Sequence, residues 1–432
     1  MHVQEARLGQ DLRHLATFTR PGQEPGAVSR LPWTAEDRAA LLWLREQMNQ
    51  LGLTTSVDPL GNLWGVWRGD DGPSLVIGSH RDSVPRGGAF DGALGVMASL
   101  EVVRTLRRLG HRLRHTLEVV AWNDEEGARF GTTLFGSRLY VGALQAQDLA
   151  DRTDAAGLSL REAIDGAGFD LARMRPSGRL GRIAAYLELH VEQGPILERE
   201  DREIGIVTGI GAILQERVTL SGTRVHAAYS GADRHDPVFG ATEALDALRR
   251  HVEERNRGQA HALLGVTVGG WDVSSRLVNV VPESVSFTVD ARSPNPGDAA
   301  AALDVLHRTL AETAEARGLG LHIAPLNDHT TFAGGGDRHE PIRFHPDLVT
   351  VVRGVTRDLG YRAVDIMSWA GHDAMALAPR VPTAMIFVPS HRGLSHTPLE
   401  FTRDPDAARG AEVLLHTLLA VDAGSLPAAV AP

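Results

Sequence analysis

The chain has no cysteine in its 432 residues. That excludes disulfides and thiol catalysis, and it leaves histidine and carboxylate as the only strong metal ligands. A run of about 18 apolar residues is also missing, so no membrane-spanning helix is expected. The opening segment, MHVQEARLGQDLRHLATF, lacks the apolar core of a signal peptide, and a cytoplasmic location is the expectation. Positive charge is not in excess either. The formal net charge is −10, which argues against nucleic acid as a partner. There is no internal repeat and no low-complexity tract.

What is present reads as an ordinary folded protein, with 43% hydrophobic and 23% charged residues. The length suits two domains. A helical pattern covers residues 34–51, with Thr34 as a plausible N-cap. Strand-like runs at 62–67, 75–79 and 116–122 then alternate with a helical run at 94–109. That alternation predicts α/β layering around a sheet. Near residue 212 the character changes. Strands at 214–221, 263–273, 284–291 and 319–325 and helices at 237–254 and 298–317 make a self-contained β-α-β-β-α-β block. A helix at 346–359, a strand at 384–388 and a helix at 404–419 follow, and the alanine-rich tail 423–432 is expected to fray. Residues 1–212 and 329–432 are therefore read as one discontinuous domain, and 213–328 as an insertion.

Glu125 and Glu126 stand side by side just past the apolar run that ends at Trp122. Adjacent carboxylates at a strand end repel each other unless a cation sits between them or one holds a proton. A divalent metal supplies the charge, and the free carboxylate can then act as a general base. Candidate ligands stand elsewhere: His80 in VIGSHRDSV, Asp91 in GGAFDGALG, His190 in YLELHVEQGP and His396 in RGLSHTPLE. Asp82, two residues after His80, fits a carboxylate that orients a ligand. Taken singly each motif has a plainer reading. His80 to Asp82 fits a surface loop, Asp91 a helix N-cap, and Asn123 to Gly127 an acidic loop. Together they compose a mixed nitrogen and oxygen set of the kind that zinc accepts, and manganese, cobalt or nickel also fit.

The segments GSHRDSVPRGGAFDGALGV, DEEGARFG, ELHVEQGP, AGHDAM and IFVPSHRGLSHTP resemble the hydantoinase/carbamoylase branch of the zinc amidohydrolase and peptidase clan. That branch holds N-carbamoyl-L-amino-acid hydrolases, β-ureidopropionases and allantoate amidohydrolases. The likeness spans nearly the whole chain. It implies a two-domain α/β fold, with a di-metal catalytic domain and an inserted βαββαβ lid and dimerisation domain. It implies that His80, Asp91 and His190 hold one divalent ion, and that Asp91, Glu126 and His396 hold a second. Glu125 would be the base, acting on a water between the ions, and Asp82 would orient His80. His226 would reach the neighbouring site of a homodimer and stabilise the oxyanion. Gln193, Asn279, Arg292 and Gly371 would contact the substrate, with Asn279 and Arg292 gripping its carboxylate. An arginine suits that task because its planar fork matches a carboxylate.

The implied reaction is hydrolysis of a carbamoyl C–N bond in an N-carbamoyl-L-amino acid or related ureide. Two departures bear on substrate. Ala228 to Ala232 replace the Gly-Thr-Thr-Pro-Met usual after the histidine, and Trp369 replaces a usual glycine. Tyr229 and Trp369 each add bulk and a hydrogen-bond donor. Other readings are an aminoacylase or dipeptidase of the same clan, and a binding protein on the same scaffold.

Overall fold

Why the sheet forms where it does follows from its most apolar runs. The computed structural model describes residues 2–70, 72–326 and 341–424. Its strands are β1 (Thr54–Val57), β2 (Leu63–Trp67), β3 (Ser74–His80), β4 (Thr116–Trp122), β5 (Ile183–Val191), β6 (Ile204–Ile210), β7 (Ala212–Ser221), β8 (Val225–His226), β9 (Gly265–Val273), β10 (Val280–Val281), β11 (Ser284–Ser293), β12 (Gly320–Pro325), β13 (Ile342–Arg343), β14 (Ala363–Ser368) and β15 (Thr383–Val388). The backbone divides into two compact units, residues 1–209 with 343–432, and residues 210–342. The sequence-based boundary between 328 and 329 lies outside the described residues.

The larger unit is built on a nine-stranded sheet of order β1-β2-β4-β3-β5-β15-β6-β13, with β14 also on β6. Its centre, β4-β3-β5-β15, is parallel throughout. SLVIGSH and TAMIFV are buried along their whole length, as expected of strands covered on both faces. The helices Ala93–Arg108 and Asp404–Asp422 pack on this centre and on each other. Parallel strands bring their carboxyl ends to one edge, where open α/β sheets place their sites. The register puts His80 beside Trp122, and Phe387 beside His190.

The smaller unit is an antiparallel sheet, β12-β7-β11-β9, with helices Pro237–Asn256 and Asp298–Arg317 packed on it. Along β11 burial alternates strictly, so Val285, Phe287, Val289 and Ala291 face the core and their neighbours do not. A separate short pair joins β8 to β10. Among the described residues no helix is long and apolar enough to cross a membrane.

Below the edge that carries His80 lies a buried charge pair. The Arg81 side chain is 1% exposed; its Nε donates to Asp37 Oδ1 (2.7 Å) and its Nη2 to Asn123 Oδ1 (2.6 Å). Asp37 sits in the first turn of helix Ala35–Gln50, whose N-cap, Thr34, accepts from the Asp37 amide (3.3 Å). Removing one partner of a buried pair leaves the other charge uncompensated. Asp37→Ala should therefore cost about 3–5 kcal/mol of stability. Equilibrium denaturation checks this, and a midpoint equal to wild type would show that the pair does not anchor the His80 segment.

Candidate metal centre

Four chain segments converge at the carboxyl edge of the parallel strands. β3 ends on His80, and the turn after it delivers Asp91 just before helix Ala93–Arg108. β5 carries His190, and Glu125 and Glu126 follow β4. The loop after β15 brings His396, with a left-handed backbone (φ 56°).

Asp91 is the common neighbour. Its Oδ1 lies 3.3 Å from His80 Nε2 and 3.2 Å from His190 Nε2. Its Oδ2 lies 3.2 Å from His396 Nε2, which is also 3.3 Å from Glu126 Oε2. His80, Asp91 and His190 form one group of potential ligand atoms, all within 4.8 Å of one another, and Asp91, Glu126 and His396 form another.

The imidazole tautomers bear on what fills these groups. His80 Nδ1 faces the Asp82 carbonyl at 3.2 Å, and His190 Nδ1 faces the Val191 carbonyl at 3.0 Å. A carbonyl only accepts, so each partner assigns the ring proton to Nδ1. The Gly92 amide donates to His190 Nε2 at 3.1 Å, which also requires a lone pair there. Both Nε2 lone pairs therefore point at one carboxylate oxygen, an arrangement that calls for a cation among them. Glu126 Oε1 is likewise buried with no hydrogen-bond partner among the described residues. This donor set fits two borderline divalent ions.

The same collected negative charge acts on the titratable groups. Burial pulls the His80 imidazole down, but Glu125, Asp91 and Asp82 outweigh it and hold it well above the ordinary value. Partial burial lowers His396, yet its bonds to Asp91 and Glu126 push it up to about 11. Burial raises the Asp91 carboxyl, but its bonds to His190, His396 and His80 bring it well below the usual range. Glu125 is pushed well above the carboxylate range, by burial first; His80 opposes, while Glu126, Asp373 and Asp82 add to the rise. Its Oε2 lies 3.9 Å from His80 Nε2, and it belongs to neither ligand group.

Two buried elements hold this arrangement. Asp82 accepts the Glu125 amide at Oδ1 (3.1 Å) and the Glu126 amide at Oδ2 (3.2 Å). Its carboxylate is farther from His80 Nδ1 (3.8 Å) than its carbonyl is. Asp82 thus fixes the paired glutamates as well as facing His80. Gly92 has φ 64°, and a Cβ there would overlap the His80 ring, so glycine is required on both counts.

Gln193, also left-handed (φ 56°), donates from Nε2 to Asp91 Oδ2 at 2.7 Å. Gly371 precedes His372, whose buried ring stands 4.4 Å from His190, centroid to centroid. His226, Asn279 and Arg292 belong to the smaller unit. There the Ala227 amide donates to the Asn279 carbonyl (2.9 Å) and Val280 pairs with His226, so the two candidates are neighbours. The Ala228 amide donates to His226 Nδ1 (3.1 Å), which assigns the proton of the neutral ring to Nε2. Arg292 is held in two-pronged contact by Asp290, at 2.7 and 2.8 Å.

Sequence reasoning passed over three residues: His372, Ser395 and Glu400. Ser395 donates to Asp91 Oδ2 and to Glu400 Oε2, both at 2.7 Å, and Glu400 Oε1 accepts the amides of Phe90 (2.8 Å) and Asp91 (2.9 Å). All three sit inside motifs already singled out, AGHDAM and SHTPLE. The signal was a polar residue beside each proposed ligand or substrate contact.

Residues 76–420 match the model of peptidase family M20/M25/M40. The chain is 37% identical over 421 residues to an N-carbamoyl-L-amino acid amidohydrolase of Geobacillus stearothermophilus, covering 96% of this chain and 98% of the relative. It is 32% identical over 380 residues to an allantoate amidohydrolase of Bacillus subtilis (87% and 88% covered). A crystal structure of a hydantoinase/carbamoylase family amidase from Burkholderia vietnamiensis superposes with a TM-score of 0.85 at 34% identity, covering 98% and 99% of the two chains.

Because Asp91 belongs to both ligand groups, its loss should differ from that of either flank. Asp91→Ala should abolish both equivalents of bound zinc, whereas His396→Ala or Glu126→Ala should weaken only one. Elemental analysis after gel filtration counts the ions, and two equivalents in Asp91→Ala would refute the shared role.

Proposed function

The chain belongs to peptidase family M20/M25/M40, and on that premise we propose that it is a two-metal amidohydrolase cleaving the carbamoyl C–N bond of an N-carbamoyl-L-amino acid or related ureide. The observation that carries this reading is the carboxylate of Asp91 shared by two ligand groups, with Glu125 beside them and in neither. His80, Asp91 and His190 would hold one ion, and Asp91, Glu126 and His396 the other. When bound, such a pair supplies Lewis acidity and lowers the pKa of water. Zinc is the ion that the mixed imidazole and carboxylate set favours, with manganese, cobalt and nickel compatible.

The remaining chemistry falls to the protein's own groups. Glu125 takes a proton from the attacking water as its oxygen bonds to the carbamoyl carbon. It returns the proton to the departing nitrogen as the C–N bond breaks. The products are the amino acid and carbamate, which decays to ammonia and carbon dioxide. Asn279 and Arg292 hold the substrate carboxylate, and Gln193 and Gly371 contact its ureido end. His226 donates from Nε2 to the developing oxyanion of the neighbouring subunit in a homodimer. Its exposure and its Nδ1 bond to the Ala228 amide support a donor role for Nε2.

An allantoate-type substrate is the second reading, favoured by the Bacillus subtilis relative. A panel of N-carbamoyl amino acids, allantoate and N-acyl amino acids, assayed for ammonia and free amine, separates the readings. Turnover of N-acyl amino acids alone would sink both.

Glu125→Gln keeps the shape of the side chain but cannot accept the proton. Its rate should fall about a hundredfold or more with two zinc ions retained. Near-normal turnover would remove Glu125 from the role of base.

If His226 acts in trans, two differently inactive subunits should rescue each other. A mixture of His226→Ala and Glu125→Gln subunits gives a heterodimer with one doubly damaged and one intact site. After random exchange, activity should rise to about a quarter of wild type. A mixture that exchanges subunits and stays inactive would place His226 outside the partner's site.

A further inference from the structure

Glu400 touches neither group of potential ligand atoms, yet it ties together the two loops that supply Asp91 and His396. Its Oε1 accepts the amides of Phe90 and Asp91 at 2.8 and 2.9 Å. Its Oε2 accepts from Ser395 at 2.7 Å, and Ser395 also donates to Asp91 Oδ2 at 2.7 Å. Glu400 is 6% exposed, so these bonds form away from bulk water, where charge-assisted hydrogen bonds are strongest. Glu400 stands four residues after His396 and closes its loop: the Glu400 amide donates to the Thr397 carbonyl at 3.0 Å. Next to it, the rings of Phe90 and Phe401 meet edge to face at 5.9 Å, a second tie between the same two loops.

The contacts are one-sided with respect to Asp91. Oδ1 faces His80 and His190, and Oδ2 faces His396. Ser395 reaches Oδ2. His80 and His190 stand on strands β3 and β5 and take their orientation from the carbonyls of Asp82 and Val191. His396 and the Oδ2 side of Asp91 stand on loops, and the Glu400–Ser395 link spans those loops. Gly88 leaves the room that this link needs, since a Cβ there would overlap the Glu400 side chain.

We infer that Glu400, acting through Ser395 and the amides of Phe90 and Asp91, is a positioning residue that sets the affinity of the Glu126/His396 half of the centre. The inference rests on the two-metal reading above. Losing an outer partner of a metal ligand typically weakens binding about 10- to 100-fold. The effect should fall on one ion of the two.

The test is zinc titration of chelator-treated full-length protein against a chromophoric competitor. Wild type should take up two zinc ions per subunit. Glu400→Ala should keep one site at wild-type affinity and weaken the other about 10- to 100-fold. Glu400→Gln retains an acceptor for the two amides and should recover part of that loss. Gly88→Ala, which crowds the same side chain from the opposite loop, should reproduce the one-site defect. Circular dichroism and the thermal midpoint of the zinc-loaded proteins establish that each variant is folded. If Glu400→Ala fails to fold, Gly88→Ala and Glu400→Gln carry the test. Two unaltered sites in the folded variants would overturn the inference, as would equal weakening of both. Fewer than two sites in wild type would overturn the two-metal reading itself, a result separable from the others.

Discussion

Everything at the carboxyl edge of the sheet is arranged around the two oxygens of Asp91. Imidazole nitrogens of His80, His190 and His396 lie 3.2–3.3 Å from them, and Gln193 and Ser395 add hydrogen bonds to Oδ2. A buried carboxylate in such company is stable only with compensating positive charge. The Nδ1 protons of His80 and His190 are committed to carbonyls, so in the neutral rings the Nε2 lone pairs meet Asp91. The constraint then propagates outward. Gly92 must lack a side chain so that the His80 ring can lie against it, and Asp82 must accept the glutamate amides so that Glu126 faces inward.

Negative charge has to be contained as well as collected. Asp124 and Asp373 are fully buried. Burial pushes both well above the carboxylate range, helped by Asp82 and Asp37 at Asp124 and by Glu188 at Asp373. On the other side Arg81 and Arg30 bring positive charge beneath Asp82. Arg30 is pulled down to about 10 by burial, opposed by Asp37 and Asp82, and donates to the carbonyls of Arg81, Leu15 and Phe18. The floor of the site thus holds paired groups, Arg81 with Asp37 and Arg30 with backbone carbonyls, beneath the edge that carries Glu125 and Glu126.

The sequence showed most where one physical signal dominated. Uninterrupted apolar runs located β3, β4 and β15 to within two residues at each end, and Thr34 marked the start of helix Ala35–Gln50. Elements with mixed burial were passed over. Helix Glu5–Leu15 buries only four residues, and β1 and β14 are mostly half-exposed, so neither alternation nor an apolar run announced them. In the site, ligand-type residues were visible because imidazole and carboxylate are chemically scarce at strand ends. Ser395 and Glu400 were not, because their work is hydrogen bonding across a sequence separation of more than 300 residues. Asp82 was read for His80 alone because proximity in sequence favours that partner. Its bonds to Glu125 and Glu126 depend on β3 and β4 being adjacent, which only the sheet order supplies.

The division of the chain into two units separates two tasks. All five proposed ligands and Glu125 belong to the larger unit, and the groups proposed to grip the carboxylate and the oxyanion belong to the smaller. On the proposed reading the ligand groups of the larger unit would serve the scissile carbonyl, which every ureide shares. Discrimination among substrates must then come from elsewhere. Tyr229 stands on the His226 loop, which Arg234 closes by donating to the carbonyls of Ala227 (2.8 Å) and Tyr229 (3.2 Å), while Tyr229 OH meets Asp233 at 3.3 Å. The Tyr229 amide also donates to the His226 carbonyl at 2.8 Å, so the loop is bonded within itself. On the proposed reading, the departures at 228–232 and the oxyanion donor His226 lie on this one bonded loop.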